Sequence, residues 1–259
     1  MKTSEIIQAI PRGSVLIVHA SFSPCKAEGL TPEGVIAMLE DQLGPEGTLI
    51  MPCFTYSYIK RPKIVPFDKD TTPGSGMGIL SETFRNLPGV IRSNNPTYSV
   101  AAWGKHAYDV TEGSKLDAGL SFGSSYEKAL KLGTRILLLN VGNNRNSMLH
   151  YAEAASGIPY NDIPHRESWG RTALTAKGEM KLNGIFPACS VNFKRFDDVF
   201  VREGIAVKLG NSYLIDGPAM VDYIIKQMQR VPDIMLCDDP ECEPCVRRRQ
   251  RLVEKGLLK

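Results

Sequence analysis

His150 and Glu153 are the two residues whose types and spacing best suit the movement of a proton. They lie in Val141–Gly157, where an apolar run ends at Val141 and a polar loop leads to Asn146 and Ser147, both good helix N-caps. The helix should then stop at Gly157 and Pro159. Residues three apart share a helix face, so the Glu153 carboxylate can orient the His150 imidazole. A helix N-terminus favours the neutral ring, whereas a nearby carboxylate favours the charged one. A base held between those pulls suits proton removal from an attacking ammonium. The same spacing also occurs in helices where a histidine only packs or caps.

Three other segments offer ligand contacts. His19-Ala20-Ser21-Phe22-Ser23 follows the first predicted strand directly, and open α/β sheets bind ligands beyond the carboxyl ends of their strands. Thr71–Gly78 is a glycine-rich loop running into a helix at Ile79, which offers backbone N–H groups to a phosphate or an amide. It is not a dinucleotide fingerprint, because no strand immediately precedes it. Arg92–Ser99 carries small hydroxyls and amides ahead of a predicted strand, suited either to a ligand or simply to a turn.

The cysteines divide into two groups. Cys25, Cys53 and Cys189 are scattered among small or apolar residues and read as ordinary reduced thiols, while Cys237, Cys242 and Cys245 form C-x4-C-x2-C. That spacing supplies three of the four ligands a structural zinc needs. The fourth would come from elsewhere, with Cys189 and the histidines as options. Pro240 and Pro244 stiffen the loop. Such a zinc would be a stabilising site remote from the chemistry; the alternative is three plain thiols in a terminal extension, two of which could pair on oxidation.

These candidates need elements to position them. Ser14–Val18, Thr48–Met51, Ser99–Trp103 and Arg135–Val141 read as buried strands. Pro32–Leu43, Ile79–Arg85 and Tyr126–Leu132 have helical spacing, so the first 160 residues alternate strand and helix as layered α/β chains do. Beyond Ile163, hairpins are expected around Ala176-Lys177-Gly178 and Gly210-Asn211, then a helix over Pro218–Gln229 and a basic, solvated helix from Val246. The expectation is a mixed α/β (α+β) single domain with a β-rich second half, its catalytic body at residues 1–230 and a Cys-containing basic extension at 231–259.

The chain has 259 residues and a formal charge of +3. That is ample for a core and too weakly basic to argue for nucleic acid. Met1–Ile10 lacks a signal-peptide pattern, and no stretch approaches the roughly 20 apolar residues that span a bilayer. No membrane partner and a cytoplasmic location are therefore expected.

Six segments in this order resemble the aminoglycoside 3-N-acetyltransferase (antibiotic N-acetyltransferase) family. They are Val18–Ser23, Gly47–Thr55, Thr72–Gly78 with Glu82 and Arg85, Pro88–Ser93, Asn146–Glu153 and, more weakly, Lys208–Met228. The resemblance implies the fold of that family, acetyl-CoA as donor, a small-molecule amine as acceptor and direct transfer without an acyl-enzyme. It implies His150 as general base with Glu153 beside it. It also implies a coenzyme channel lined by His19, Ala20, Ser21, Phe22 and Ser23, by Thr72, Ser75, Gly76, Met77 and Gly78, and by Ser93 and Ser99. Two departures bear on the acceptor. Asn95 stands where the family usually has histidine, and Asn143-Asn144-Arg145 occupies a loop where many members carry an aspartate. Arg145 would repel a polycationic aminoglycoside.

Two rivals remain. Gly119-Leu120-Ser121-Phe122-Gly123 fits the nucleophile elbow of serine hydrolases, with Asp162 and His165 downstream, but Glu112–Ala118 cannot form the strand that an elbow requires. A non-catalytic CoA-binding protein on the same fold is the other.

Overall fold

A computed structural model describes residues 1–55, 66–74, 76–163, 172–181, 187 and 189–259. The chain opens with α1 (Thr3–Gln8), β1 (Val15–Ala20) and α2 (Ser23–Ala27). Next come α3 (Pro32–Leu43), β2 (Thr48–Pro52), α4 (Ile79–Phe84), β3 (Ile91–Arg92) and β4 (Val100–Gly104). After α5 (Ala107–Thr111), α6 (Ser125–Lys131) and β5 (Arg135–Leu139), the helix α7 (Met148–Ala155) carries the His150–Glu153 pair. The second half adds β6 (Thr172–Thr175), β7 (Gly178–Lys181), α8 (Phe196–Arg202), β8 (Ala206–Leu209), β9 (Ser212–Asp216), α9 (Gly217–Arg230) and α10 (Glu243–Glu254).

Seven strands form one mixed sheet in the order β3-β4-β2-β1-β5-β9-β8. The centre is parallel, with β1 pairing β2 (Leu16 opposite Leu49) and β5 (Ile17 opposite Ile136), while β4 and β9 run antiparallel outside them. Period-two alternation explains why helices cover both faces. Val15, Ile17, Ile136 and Leu138 enter one core with α7 and α9, whereas Leu16, Val18, Leu137 and Leu139 enter the other with α1 and α3. α3 shows the local logic. Thr31 caps the helix by accepting the Gly34 N–H at 3.1 Å, Pro32 takes the first turn, and Val35, Ile36, Leu39 and Leu43 are buried.

The expected fold class holds, and so do the expected strands and helices to within a few residues. Both expected hairpins of the second half form: β8–β9 joins the main sheet, and β6–β7 stands apart as a two-stranded hairpin. The basic tail differs more. α10 buries Pro244, Cys245, Arg248 and Leu252, so it is an amphipathic helix seated on the core rather than a solvated one. Its inward residues recur at helical spacing, but the arginines that fill that stripe disguise it as a surface face.

Candidate active site

In the strand order β2-β1-β5 the chain leaves β1 toward β2 on one side and later returns to β5 on the other. The crevice at the carboxyl ends of these strands is therefore the topological switch point of the sheet. A cleft of about 1190 Å³ occupies it, walled by His19–Ser23 at the end of β1, Pro52 and Phe54 at the end of β2, and Asn140–Gly142 after β5.

The turn after β5 aims α7 at this cleft. Asn140 adopts φ +57, a left-handed conformation that asparagine tolerates better than most residues. Gly142 passes so close to Asp197 that a Cβ there would lie 2.5 Å from a carboxylate oxygen. That same carboxylate accepts the Asn143 N–H at 2.7 Å and its Nδ2 at 2.9 Å. Of the two candidate caps, Asn146 does the work: its Oδ1 accepts the Met148 N–H at 3.2 Å, and Ser147 makes no capping bond. His150 follows within the first helical turn.

His150 Nδ1 lies 2.7 Å from Glu153 Oε2, and the ring packs on Phe193 at 4.8 Å between centroids. Glu153 is only 2% exposed, so its contact with the ring lies in a low-dielectric interior behind the cleft. Its second oxygen, Oε1, accepts from the Tyr160 hydroxyl at 3.2 Å and from Arg248 Nη1 at 3.4 Å. Arg248 also donates to the Ile163 carbonyl at 3.0 Å and lies 4.8 Å over the Tyr160 ring. Burial, followed by the neighbouring Glu153, pushes the Tyr160 hydroxyl well up, so it stays a proton donor. This bracing carboxylate cage around the imidazole resembles the way carboxylates fix histidine tautomers at metal and hydrolase sites. Sequence reasoning missed Tyr160 and Arg248. The one signal was the Cys245–Arg248–Leu252 stripe, hidden by arginines on either side.

The structure brings together much of the predicted channel. His19, Ala20, Ser21, Phe22 and Ser23 line the cleft with Gly76, Met77, Gly78 and His150. Ser75 lies outside the described residues. His19 is buried, its Nε2 finds no hydrogen-bond partner among the described residues, and burial lowers its pKa to about 4. The ring is therefore neutral at neutral pH, with Nε2 closed off from solvent.

Thr72, Ser93 and Ser99, expected on the channel, are buried and are not among the residues that line this cleft. The Thr72 hydroxyl accepts the Asp68 N–H at 2.9 Å, and the Ser93 hydroxyl accepts the Val100 N–H at 3.0 Å. The Ser99 hydroxyl donates to the Cys53 carbonyl at 2.8 Å and accepts from Arg92 Nε at 3.0 Å. A buried guanidinium at Arg92 needs such acceptors, and the Thr72 carbonyl supplies another. The glycine loop is also partly spoken for, because Gly74 donates its N–H to Glu82 Oε2 at 3.0 Å.

Asn95 has an architectural role. Its Nδ2 donates to the carbonyls of Lys115 and Ala118, and its Oδ1 accepts the N–H groups of Thr97 and Tyr98. All of its hydrogen-bonding capacity goes into tying the loop before α6 to the loop before β4. The G-x-S-x-G segment lies in that first loop with no strand before it, and His165 falls outside the described residues. Two exposed cations, Lys26 and Arg145, stand on the cleft wall, which carries no carboxylate among the described residues.

The sequence profile described as Aminoglycoside 3-N-acetyltransferase matches residues 17–229. The chain belongs to that family. The aminoglycoside N(3)-acetyltransferase IV of Salmonella sp is 36% identical over 154 residues, 59% of this chain and 57% of that protein. The aminoglycoside N(3)-acetyltransferase III of Salmonella sp is 28% identical over 252 residues, 85% of this chain and 87% of that protein. The crystal structure of the aminoglycoside acetyltransferase AAC(3)-IVa apoenzyme matches with a TM-score of 0.79 at 29% identity, over 96% of each chain. The aminoglycoside 3-N-acetyltransferase family is thus shared at the levels of both sequence and fold, and its members are acyltransferases.

Beyond the matched span, three cysteines join Cys189. The sulfurs of Cys189, Cys237, Cys242 and Cys245 all lie within 4.8 Å of one another, and none is disulfide-bonded. The cluster is not remote from the site, as the sequence suggested. Cys242 and Cys245 begin α10, which carries Arg248 to Glu153.

Proposed function

We propose that the chain transfers the acetyl group of acetyl-CoA to an amine of an aminoglycoside or related amino sugar, by direct attack in a ternary complex. The observation that carries this reading is His150 on the wall of a cleft at the carboxyl ends of β1, β2 and β5, with the buried Glu153 carboxylate held on its Nδ1. With Nδ1 facing the Glu153 carboxylate, the favoured tautomer keeps its proton on Nδ1 and leaves a lone pair on Nε2. The acceptor nitrogen attacks the thioester carbonyl carbon and the C–N bond forms. Its proton passes to His150 Nε2, the C–S bond breaks, and His150 returns that proton to the departing thiolate to give CoA. Acetyl-CoA supplies the activated acyl carbon; the chain's residues bind, orient and take the proton. Lys26 and Arg145 suit the phosphates of the coenzyme by charge.

Membership of the family supports the donor and the class of acceptor. A histidine-to-alanine variant of AAC(3)-IVa has been crystallised in complex with a gentamicin, and that structure is 29% identical to this chain with a TM-score of 0.79. The local charge is less hospitable here, because cationic walls repel a polycation, most of all at low salt. An amino sugar with few positive charges therefore fits this cleft better than the most highly charged aminoglycosides. On this reading residues 1–230 form the catalytic body, and 231–259 is an extension packed onto it. Among the described residues no helix is long and apolar enough to cross a membrane.

The test is His150→Ala with acetyl-CoA and a panel of aminoglycosides and amino sugars. Turnover should fall by roughly 10²–10⁴ with little change in coenzyme affinity, the usual contribution of a general base. Wild-type turnover in that variant would remove His150 from the chemistry. Coenzyme binding with no acceptor turned over by the wild type would favour a non-catalytic CoA-binding protein.

A further inference from the structure

We propose that Cys189, Cys237, Cys242 and Cys245 bind one zinc ion as four thiolates, and that this ion clamps the C-terminal segment against the catalytic wall. Zinc–thiolate bonds of about 2.3 Å set the edges of a tetrahedral sulfur cage at about 3.8 Å. The Cys189 and Cys237 sulfurs are 3.7 Å apart, and no pair in the cluster exceeds 4.8 Å. A disulfide needs about 2.05 Å, and four mutually close sulfurs cannot all be satisfied by one. Their environment suits a closed site. Cys237 and Cys245 are buried and Cys189 and Cys242 half-buried, so water has little access. Backbone N–H groups point at two of the sulfurs, from Val191 to Cys189 and from Cys237 to Cys245, each at 3.4 Å. Amides aimed at sulfur stabilise thiolate charge. Four soft ligands in a tetrahedron select zinc over the hard cations. Binding converts four thiols to thiolates and releases four protons, leaving a complex of net charge −2.

The ligands come from two segments that flank the catalytic pair. Cys189 precedes the short 3-10 helix Val191–Arg195, whose Phe193 packs on the His150 ring. Cys242 and Cys245 open α10, whose Arg248 holds Glu153 Oε1. Arg249 secures the same loop by donating to the Cys237 carbonyl at 2.6 Å and pairing with Asp233 at 3.0 Å. One ion would therefore fix both supports of the His150–Glu153 pair. This consequence rests on the catalytic reading above, whereas the metal site does not.

The experiment uses the full chain, purified without an affinity tag from zinc-replete cells, with metal content read by elemental analysis. The expected result is close to one zinc per chain. Cobalt substitution should give the intense visible bands of tetrahedral thiolate coordination. Cys189→Ser and Cys245→Ser should lose most of the metal, while Cys25→Ser, outside the cluster, keeps it. If the cluster variants fail to fold, the wild type still decides: a thiol-reactive mercurial should release the ion in step with its titration of the four sulfurs. Chelation should lower the melting temperature and, if the clamp supports the base, distort the pH–rate profile, with zinc restoring both. Zinc below a tenth of an equivalent after reconstitution with excess ion overturns the proposal. So does a red, iron-loaded protein, a native disulfide among the four, or full zinc retention in both cluster variants. Full zinc with no acetyl transfer would leave the metal site standing and sink only the catalytic reading.

Discussion

At the scale of single residues, two imidazoles on one cleft do opposite things because their partners differ. His150 has a carboxylate 2.7 Å from one ring nitrogen, which orients it for proton transfer. His19 has burial alone, which lowers its pKa from the ordinary 6.5 to about 4. Between those values the unfolded chain takes up a proton that the folded chain refuses, so stability falls as the pH drops from 6.5 toward 4. Below about 4 both states are protonated and this group adds no further loss. The whole effect is worth roughly 3 kcal/mol, and His19→Gln should remove it. Urea midpoints across that pH window, compared between wild type and variant, measure the difference; parallel curves would show that His19 is not the titrating group.

At the scale of elements, α10 is where composition misleads. Leu252 is fully buried and Val253, its neighbour, is 50% exposed. Leu252→Ala should cost about 2–5 kcal/mol, the range for a cavity in a packed core. Val253→Ala should stay within about 0.5 kcal/mol, as exposed substitutions do. Equal, small losses in chemical denaturation would mean that α10 is solvated after all. Arg248→Met tests the same helix from its catalytic side. It leaves Glu153 with the hydrogen bonds of Tyr160 and His150 but no buried cation, a loss of about 3–5 kcal/mol for breaking such a pair. Its turnover should fall more than its coenzyme affinity, because Arg248 touches Glu153 and lies outside the cleft wall; an equal fall in both would place it among the binding residues instead.

At the scale of the whole molecule, the parallel centre of the sheet creates one crevice, and cations stand beside it. A ligand that binds only the folded state stabilises it by mass action, by about 2.7 kcal/mol at one hundred times its dissociation constant. CoA should therefore raise the melting temperature. The shift should shrink with added salt, because Lys26 and Arg145 are exposed and their attraction for phosphates is screened over about 10 Å at 0.1 M. Arg145→Ala should reduce both the shift and its salt dependence. No shift at saturating CoA would end the acetyltransferase reading.

What the sequence by itself determined is local or periodic. The strands of the parallel core, α3 with its cap, and the His150–Glu153 spacing on α7 were all legible, because alternation, helical stripes and N-caps act over a few residues. The order of motifs along the chain carried the family. The cleft's position was also within reach, since polar residues directly after a buried strand must lie at its carboxyl end. Only the tertiary structure decided which polar residues face that cleft. Ser99 and Thr72 looked like ligand contacts, but a buried guanidinium at Arg92, distant in sequence from Thr72 and Cys53, takes them as acceptors, and the Ser93 hydroxyl is taken by the Val100 N–H. Tyr160 and Arg248 joined Glu153 across 7 and 95 residues, and Cys189 joined Cys237 across 48. Contacts at such separations depend on how layers pack and leave no periodic trace in the chain, so the support of the base, and the choice of Cys189 over the histidines as the fourth ligand, could be seen only once the chain was folded.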